Sequence, residues 1–409
     1  IRASDWSSDV CSSDLFFSSG LSFLESCIAP TEMPPPLPLG YQLVQVQLIT
    51  RHGSRSPLKS LLSDASMHGT WHCDSDDAIS GRISVSNLRN PRRFRHLIDK
   101  RQAPYQPNCN LGELTIEGMV QHKNLGKAYR KYLVDDAKFL SSDYINPEEL
   151  LIRATSYDRT YRSALSFLNG LYPPARMDEL IDIVVGDTVD VLRPHKKYCD
   201  EIRQLEDEYL QSDKFKAYLE ESQKLYGELG KYLGVNIVDK STMDTVCDWV
   251  NTLSCFEGEI GPNVTQEMID KCKIMGGKII YDVYFQSEEN RTIAFSYGMR
   301  EVLRLIDENI AGVNRKKFVL HSAHDSTVVA ALVALGQKVD VIPPYASHLA
   351  IEILTKNQRY YIRFTFNGKP IKIPMMNSND TIYEMHEFRT VMEPLVNAHC
   401  KDADRKSVV

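Results

Sequence analysis

The chain has 409 residues, of which 43% are hydrophobic and 25% are charged, and its formal net charge is −6. These values are typical of a globular protein with room for one large α/β unit and an elaborated second lobe, or for two to three ordinary domains. The negative charge argues against a nucleic-acid partner, and the lack of a long apolar run argues against a stable membrane span.

The first 39 residues are set apart from the rest of the chain. Residues 5–15 repeat Ser-Ser-Asp without apolar periodicity and resemble a translated sequencing adapter, as does the run from residue 404, so both are left out of the fold prediction. Residues 16–27 have the composition of a secretory signal remnant. Five prolines between Pro30 and Pro38 predict an extended lead-in.

The remaining chain divides by its periodicity. Residues 40–190 and 291–400 are predicted to form an α/β core, with a loop excursion over residues 66–110. Dense mixed charge with helical apolar spacing over residues 191–290 predicts a mainly helical insertion, which we term the cap.

The first predicted strand, Leu43 to Thr50, alternates apolar and polar residues and leads directly into Arg-His-Gly-Ser-Arg-Ser-Pro at residues 51–57. Two guanidiniums four residues apart flank one imidazole, and the guanidinium fork matches phosphate oxygens in a bidentate way. A surface loop with solvated arginines is the alternative interpretation. We predict a phosphate cradle with a histidine inside it.

A second predicted strand covers residues 150–155 and carries Arg153 near its end. Asp158 follows as a predicted N-cap for a helix that starts at Arg159. An arginine that ends an apolar strand must find an anion or water, because burying it unpaired is costly. The strand alone does not distinguish a structural ion pair from an anion site.

A third predicted strand, Phe318 to Ala323, delivers His324 and Asp325 to the start of another helix. The turn from strand to helix is where open α/β sheets place their chemistry. A helix cap is the alternative role for this pair.

These segments together resemble the histidine acid phosphatase family, whose signature is Arg-His-Gly-x-Arg-x-Pro. The resemblance runs from about Val44 to Cys400, and it includes Ser-x-His-Asp at residues 322–325 and Ile-Arg-Ala-Thr with Asp-Arg-Thr at residues 152–160. It implies an α/β fold with a mixed, mostly parallel central sheet flanked by helices and a smaller helical cap. It also implies hydrolysis of phosphate monoesters, without a metal or a cofactor.

The resemblance assigns roles to individual residues. It implies that His52 attacks phosphorus to form a phosphohistidine and that Asp325 protonates the leaving group, while Arg159 is expected to serve structure. The residues that it implies for binding the substrate phosphate are Arg51, Arg55, Arg153 and His324.

Cysteines and glycosylation sequons favour an oxidising compartment, so we predict a secreted or lysosomal protein. The sequons are Asn263, Asn290 and Asn379. No cysteine or histidine spacing indicates zinc. The family resemblance implies a disulfide between Cys199 and Cys400, and a bridge from Cys73 to Cys109 is a further option.

Two alternatives to a general acid phosphatase remain. One is a narrow phosphatase for lysophosphatidate, sugar phosphate or phytate, and residues 146–149 look somewhat like those of lysophosphatidic acid phosphatases. The other is a secreted antigen or binding protein that keeps the fold without turnover, which the intact His52 and Asp325 argue against. Because members of the family are often dimers, a homodimer is also expected.

Overall fold

The computed structural model describes residues 27–59, 71–73, 109–142, 147–173, 181–186, 190–193, 199–255, 264–285, 293–339, 341–376 and 378–398. The strands in this part of the chain are β1 (Gln42–Arg51), β2 (Leu150–Ala154), β3 (Ile183–Val185), β4 (Phe318–Ala323), β5 (His348–Lys356), β6 (Arg359–Phe366), β7 (Lys369–Pro370) and β8 (Ile382–Glu384).

These strands form one mixed sheet in the order β3-β2-β4-β1-β5-β6-β7, and β8 pairs with β6. The four strands from β3 to β1 are mutually parallel, whereas β5 runs antiparallel to β1 and starts the antiparallel side. The carboxyl ends of β1, β2 and β4 therefore meet at one edge of the sheet. The predicted fold class, a mixed sheet with mostly parallel central strands flanked by helices, is confirmed.

The helices of the described residues are α1 (Ile116–Arg130), α2 (Asp158–Leu171), α3 (Asp200–Gln211), α4 (Asp213–Tyr232), α5 (Lys240–Ser254), α6 (Gln266–Phe285), α7 (Ser296–Ile310), α8 (Asp325–Ala334) and α9 (Met385–Asn397). A π-helical turn, Lys131–Asp136, continues α1, and a 3-10 turn covers Pro374–Met376. None of these helices is long and apolar enough to cross a lipid bilayer.

The alternation along β1 sends apolar side chains to both faces of the sheet. Val46 and Leu48 join one apolar core with α1 and α2, while Ile49 joins a second core with α7, α8 and α9. Because both faces are covered, the central strands are buried on both sides.

Helices α3 to α6 of the cap enclose a separate apolar cluster, which also includes Trp71, Cys73 and Cys109. Its largest buried side chains include Tyr209, Phe215, Tyr226 and Trp249. A disulfide between Cys247 and Cys272 joins α5 to α6. All four helices fall within the segment that the sequence assigns to the cap.

The disulfides tie distant parts of the chain together. The Cys73–Cys109 bridge, one of the options raised by the sequence, is present. Cys199 is disulfide-bonded, but Cys400, its predicted partner, lies outside the described residues. Asn263 and Asn290 also lie outside them, whereas Asn379 is exposed.

The chain near residue 27 is part of the folded protein. Cys27 forms a disulfide with Cys255, and its carbonyl oxygen accepts a hydrogen bond of 2.8 Å from the Tyr345 backbone N–H. The Ala29 N–H donates in turn to the Tyr345 carbonyl at 2.8 Å. Cys27 therefore belongs to the fold rather than to a signal remnant, and the rest of that predicted segment, residues 16–26, lies outside the described residues, as do residues 1–15.

Candidate active site

The candidate active site lies at the edge of the sheet where β1 and β4 end. Arg51, the last residue of β1, is in register with Ala323, the last residue of β4. His52 and His324 are therefore the next residues on two neighbouring parallel strands. Their ring centroids lie 5.6 Å apart.

Two facing glycines allow the loop after β1 to contact the backbone of α1 directly. A Cβ on Gly53 would lie 2.4 Å from the Gly118 carbonyl oxygen, and a Cβ on Gly118 would lie 2.3 Å from the Ser54 carbonyl oxygen. Only a residue without a Cβ permits this approach. Gln121 of α1 also accepts a hydrogen bond of 2.9 Å from the Ser54 N–H through its Oε1. The loop is thus fixed by backbone contact and by hydrogen bonding.

His52 has one ring nitrogen committed to the backbone. Its Nδ1 lies 2.8 Å from the carbonyl oxygen of Gly53. A carbonyl oxygen only accepts hydrogen bonds, so Nδ1 carries the proton in this pair. Nε2 then keeps its lone pair, which is the requirement for a nucleophilic imidazole.

The surroundings of His52 also keep the ring neutral. The side chain is buried, and burial lowers its pKa well below the ordinary value of 6.5. The positive charges of Arg159, Arg51 and Arg55 lower this pKa further. His52 is therefore uncharged at mildly acidic pH.

Asp325 forms an ion pair across the edge of the sheet. Its Oδ2 lies 3.2 Å from an amino nitrogen of Arg51, whose guanidinium also stacks 4.2 Å from the Tyr345 ring centroid and donates to the Pro343 carbonyl. Burial raises the pKa of Asp325, but the Arg51 and Arg55 charges outweigh burial and hold it below its ordinary value. This carboxyl is ionised when no other anion is bound.

His324 is held by the end of β2. Its Nε2 lies 2.9 Å from Oγ1 of Thr155, and the edge of its ring faces Tyr157 at a centroid distance of 5.1 Å. Burial, with the Arg159 and Arg193 charges, lowers its pKa well below the ordinary value.

Arg159 enters the site from the first turn of α2. Its guanidinium lies 4.5 Å from the Tyr157 ring centroid. Burial and the Arg55 charge lower its pKa to about 10, so it stays protonated at neutral and acidic pH. Within the described residues, no carboxylate forms an ion pair with it. Arg159 therefore places positive charge near His52 and His324, at the N-terminal end of a helix where anions bind favourably.

Arg55 is engaged by the cap. Its amino nitrogen lies 2.5 Å from Oδ1 of Asp248 on α5, and the other oxygen of that carboxylate accepts the Leu58 N–H at 2.8 Å. Although burial lowers the pKa of Arg55, Asp248 raises it above its ordinary value, so the guanidinium is permanently charged.

Residues 42–367 match the histidine phosphatase superfamily, branch 2. The chain belongs to this family. Among its relatives, Counting factor 60 of Dictyostelium discoideum is 26% identical over 367 residues, covering 84% of this chain and 84% of its own. Human prostatic acid phosphatase is 25% identical over 345 residues, covering 81% of this chain and 79% of its own.

Another relative is mouse lysophosphatidic acid phosphatase type 6, 26% identical over 349 residues, which cover 80% of this chain and 79% of its own. Among solved structures, the apo form of Hafnia alvei phytase is similar to this chain with a TM-score of 0.59, at 14% identity, over 88% of this chain and 98% of its own. That structural likeness supports the fold of this histidine phosphatase.

The structure of this histidine phosphatase brings most of the predicted site residues together. Those that lie at the same edge of the sheet are Arg51, His52, Arg55, His324 and Asp325. Among the described residues, no group of three or more His, Cys, Asp or Glu side chains is arranged to hold a metal ion.

Arg153 does not join this group. It is in register with His321 on β4, and its guanidinium donates to Glu301 of α7 at 2.6 Å. Its neighbours on β2, Leu150 and Ile152, face the core with α1 and α2, so strand alternation turns Arg153 towards α7. The structural ion pair, left open by the sequence, is therefore its observed state.

Three residues at or beside this edge of the sheet have no site role in the prediction from sequence. Arg159 is predicted to serve structure, although its position in the first turn of a helix after a strand is a signal for anion binding. Thr155 is the last residue of the Ile-Arg-Ala-Thr motif, and this motif is its signal in the sequence, since Thr155 contacts His324. Asp248 has no local signal, because it lies 193 residues from Arg55 in a helical segment rich in mixed charge.

Proposed function

We propose that this chain is an acid phosphatase that hydrolyses phosphate monoesters through a phosphohistidine on His52. The observation that carries the proposal is the buried, neutral imidazole of His52, with its Nδ1 bound to the Gly53 carbonyl, among three guanidiniums. Such a site combines an available lone pair with positive charge for a phosphoryl group.

In the first step, Nε2 of His52 attacks phosphorus while the bond from phosphorus to the ester oxygen breaks. The departing oxygen takes a proton from Asp325. An arriving phosphate dianion adds negative charge beside Asp325 and competes for Arg51, and both changes raise the pKa of Asp325 so that it can hold this proton. In the second step, water gives a proton to Asp325 and attacks the phosphohistidine, which releases inorganic phosphate and restores His52.

The non-bridging oxygens of the phosphoryl group need donors as charge spreads over them. We propose that the third guanidinium is Arg159, whose charge acts on both His52 and His324, rather than Arg153, which is paired with Glu301. The proposed phosphate-binding residues are Arg51, Arg55, Arg159 and His324.

The proposal for the substrate is its chemical class, and the proposal for localisation is an oxidising compartment. Relatives named prostatic, lysosomal and lysophosphatidic acid phosphatases support activity on phosphate monoesters of more than one kind. Disulfides and the exposed sequon at Asn379 support a secreted or lysosomal glycoprotein. The homodimer stays a prediction.

The test is hydrolysis of p-nitrophenyl phosphate at acidic and neutral pH, with tartrate as competitor, combined with trapping of the phosphoenzyme. We expect the wild type to form an acid-labile, base-stable phosphoenzyme and the His52→Ala variant to form none. His386→Ala is the control, because this histidine is exposed on α9. Phosphoenzyme of the same stability in the His52→Ala variant would refute the nucleophile.

A further inference from the structure

We propose that Asp248 of the cap is a positioning residue for the phosphate site, which it serves by holding the Arg55 guanidinium in place. The inference rests on the proposed phosphatase function. It assigns a role in the reaction to a residue of the cap helix α5.

Asp248 uses both carboxylate oxygens on the loop after β1. Oδ1 lies 2.5 Å from an amino nitrogen of Arg55, and Oδ2 accepts the Leu58 N–H at 2.8 Å. The side chain is 16% exposed, so solvent screens these contacts only weakly. One carboxylate therefore fixes a phosphate-binding side chain and, three residues further on, the backbone of the same loop.

Arg55 depends on this carboxylate. Its other amino nitrogen donates to the Ser56 carbonyl at 3.0 Å, and within the described residues its buried Nε has no hydrogen-bond partner. Asp248 is the one carboxylate that forms an ion pair with Arg55 in this part of the chain. A buried guanidinium that loses its carboxylate is strongly disfavoured and reorients towards another partner. Removing Asp248 should therefore misplace Arg55 relative to His52.

A second contact joins the same loop to the same helix. Nζ of Lys59 donates to Oγ of Ser241 and to Oγ1 of Thr245, each at 2.9 Å. Together with the pair between Asp248 and Arg55, this contact forms a seam between α5 and the loop. Any displacement of α5 is thereby transmitted to a guanidinium of the phosphate site.

The two lobes thus each hold one arginine of the site. Asp325, from the core, pairs with Arg51, whereas Asp248, from the cap, pairs with Arg55. Because Asp248 contacts Arg55 rather than the reacting atoms, its effect on turnover should pass through Arg55. This dependence can be measured directly.

The experiment is a double-mutant cycle with Asp248→Ala and Arg55→Ala, followed by kcat/KM for p-nitrophenyl phosphate and by the inhibition constant of inorganic phosphate. We expect Asp248→Ala to lower kcat/KM about ten-fold and to weaken phosphate about ten-fold, as is typical for the loss of one charge-assisted hydrogen bond. In the Arg55→Ala background we expect the same change to have less than about a two-fold effect, because the partner is already gone.

Asp248→Asn keeps one acceptor oxygen and should give an intermediate loss, which provides a folded variant in case Asp248→Ala is unstable. The matched control is Asp244→Ala, one turn earlier on α5, where a side chain that is 48% exposed pairs with Lys240. We expect no change in kcat/KM there. Equal losses from Asp248→Ala with and without Arg55, or no loss at all, would overturn the proposal.

Calorimetric binding of inorganic phosphate separates this proposal from the proposed function. If the wild type binds phosphate and the cycle shows the coupling, but no ester is hydrolysed, positioning by Asp248 stands and the phosphatase function fails. If ester is hydrolysed but phosphate binding shows no coupling between Asp248 and Arg55, the function stands and the positioning role fails. A wild type that binds no phosphate overturns both.

Discussion

Exchanging the two arginines near the end of β2 for alanine provides the sharpest test of the site. Arg159 has no carboxylate partner among the described residues and acts on His52, whereas Arg153 is bound to Glu301. Loss of a guanidinium that makes two charge-assisted hydrogen bonds to a phosphoryl group removes about 3–5 kcal/mol of transition-state stabilisation. At about 1.4 kcal/mol for each factor of ten, Arg159→Ala should lower kcat/KM by about 10²-fold to about 4,000-fold.

Arg153→Ala should leave the reaction almost unchanged. Glu301 keeps a second partner, since Nε of Arg304 lies 2.9 Å from its Oε2, and the Arg153 side chain is 24% exposed. The loss of this pair should cost at most about 1 kcal/mol of stability and change kcat/KM less than about three-fold.

Both variants are compared by kcat/KM with p-nitrophenyl phosphate at saturating and limiting substrate, after their thermal unfolding midpoints have been measured. A large loss in Arg153→Ala with normal turnover in Arg159→Ala would refute the assignment. It would also support Arg153 as a phosphate-binding residue, the role that the family resemblance implies.

Three further predictions follow from the same geometry. Asp325→Asn should retain phosphate binding and should hydrolyse p-nitrophenyl phosphate, because the leaving group of this ester needs little protonation. The same variant should lose turnover on alkyl phosphates. Equal losses on both substrates would show that another group supplies the proton. Burial and the arginines hold the pKa of His52 well below 6.5, so the ring stays neutral as pH falls through 6.5. The pH profile of kcat/KM should therefore show no acidic limb there. A limb with a midpoint near 6.5 would contradict this. Gly118→Ala would place a Cβ 2.3 Å from the Ser54 carbonyl, so it should lower both the unfolding midpoint and kcat/KM, whereas Gly227→Ala, with no atom within 4 Å of its Cβ, should lower neither.

The sequence predicts the elements that depend on local pattern. Alternation from Leu43 to Thr50 places β1 and puts Val46 and Leu48 on the face opposite Ile49, as observed. The same alternation predicts that Val44 shares the face of Val46 and Leu48, but a register shift between Leu43 and Gln45 turns it to the face of Ile49. Apolar runs before His324 and around Arg153 place β4 and β2. Since parallel strands align their carboxyl ends, the convergence of the segments after β1 and β4 also follows from the sequence.

Contacts between distant elements could not be read from local pattern. Arg153 lies on β2 and Arg159 follows that strand by a few residues, and only the packing of α7 against the sheet decides which of them finds a carboxylate. Asp248 belongs to a helix whose charges look like a solvated face, and only the docking of that helix turns one carboxylate towards Arg55. The residues before Cys27 carry only a weak sequence pattern. Cys27 is part of the fold because it forms a disulfide with Cys255, which lies 228 residues away.

The buried histidines have a consequence for folding stability in acid. Burial is the main cause that lowers the pKa of each ring in the folded chain, to about 3 or 4 for His122, His321 and His348 and well below 6.5 for His52 and His324. They are His52, His122, His321, His324 and His348. The unfolded chain would protonate these rings as pH falls through about 6.5 while the folded chain does not, so stability is complete above this pH and declines below it. At pH 5.5 the loss is about 1.4 kcal/mol for each ring.

Mildly acidic pH, at which His52 stays neutral, therefore lowers the free energy of unfolding of the folded chain. Cross-links that restrict the unfolded chain offset this loss, and those in the described residues span 228, 36 and 25 positions. Reducing agents should consequently inactivate the enzyme faster at pH 5 than at pH 7 once its disulfides are open. The stability of this chain in acid should therefore depend on its disulfide-bonded cysteines.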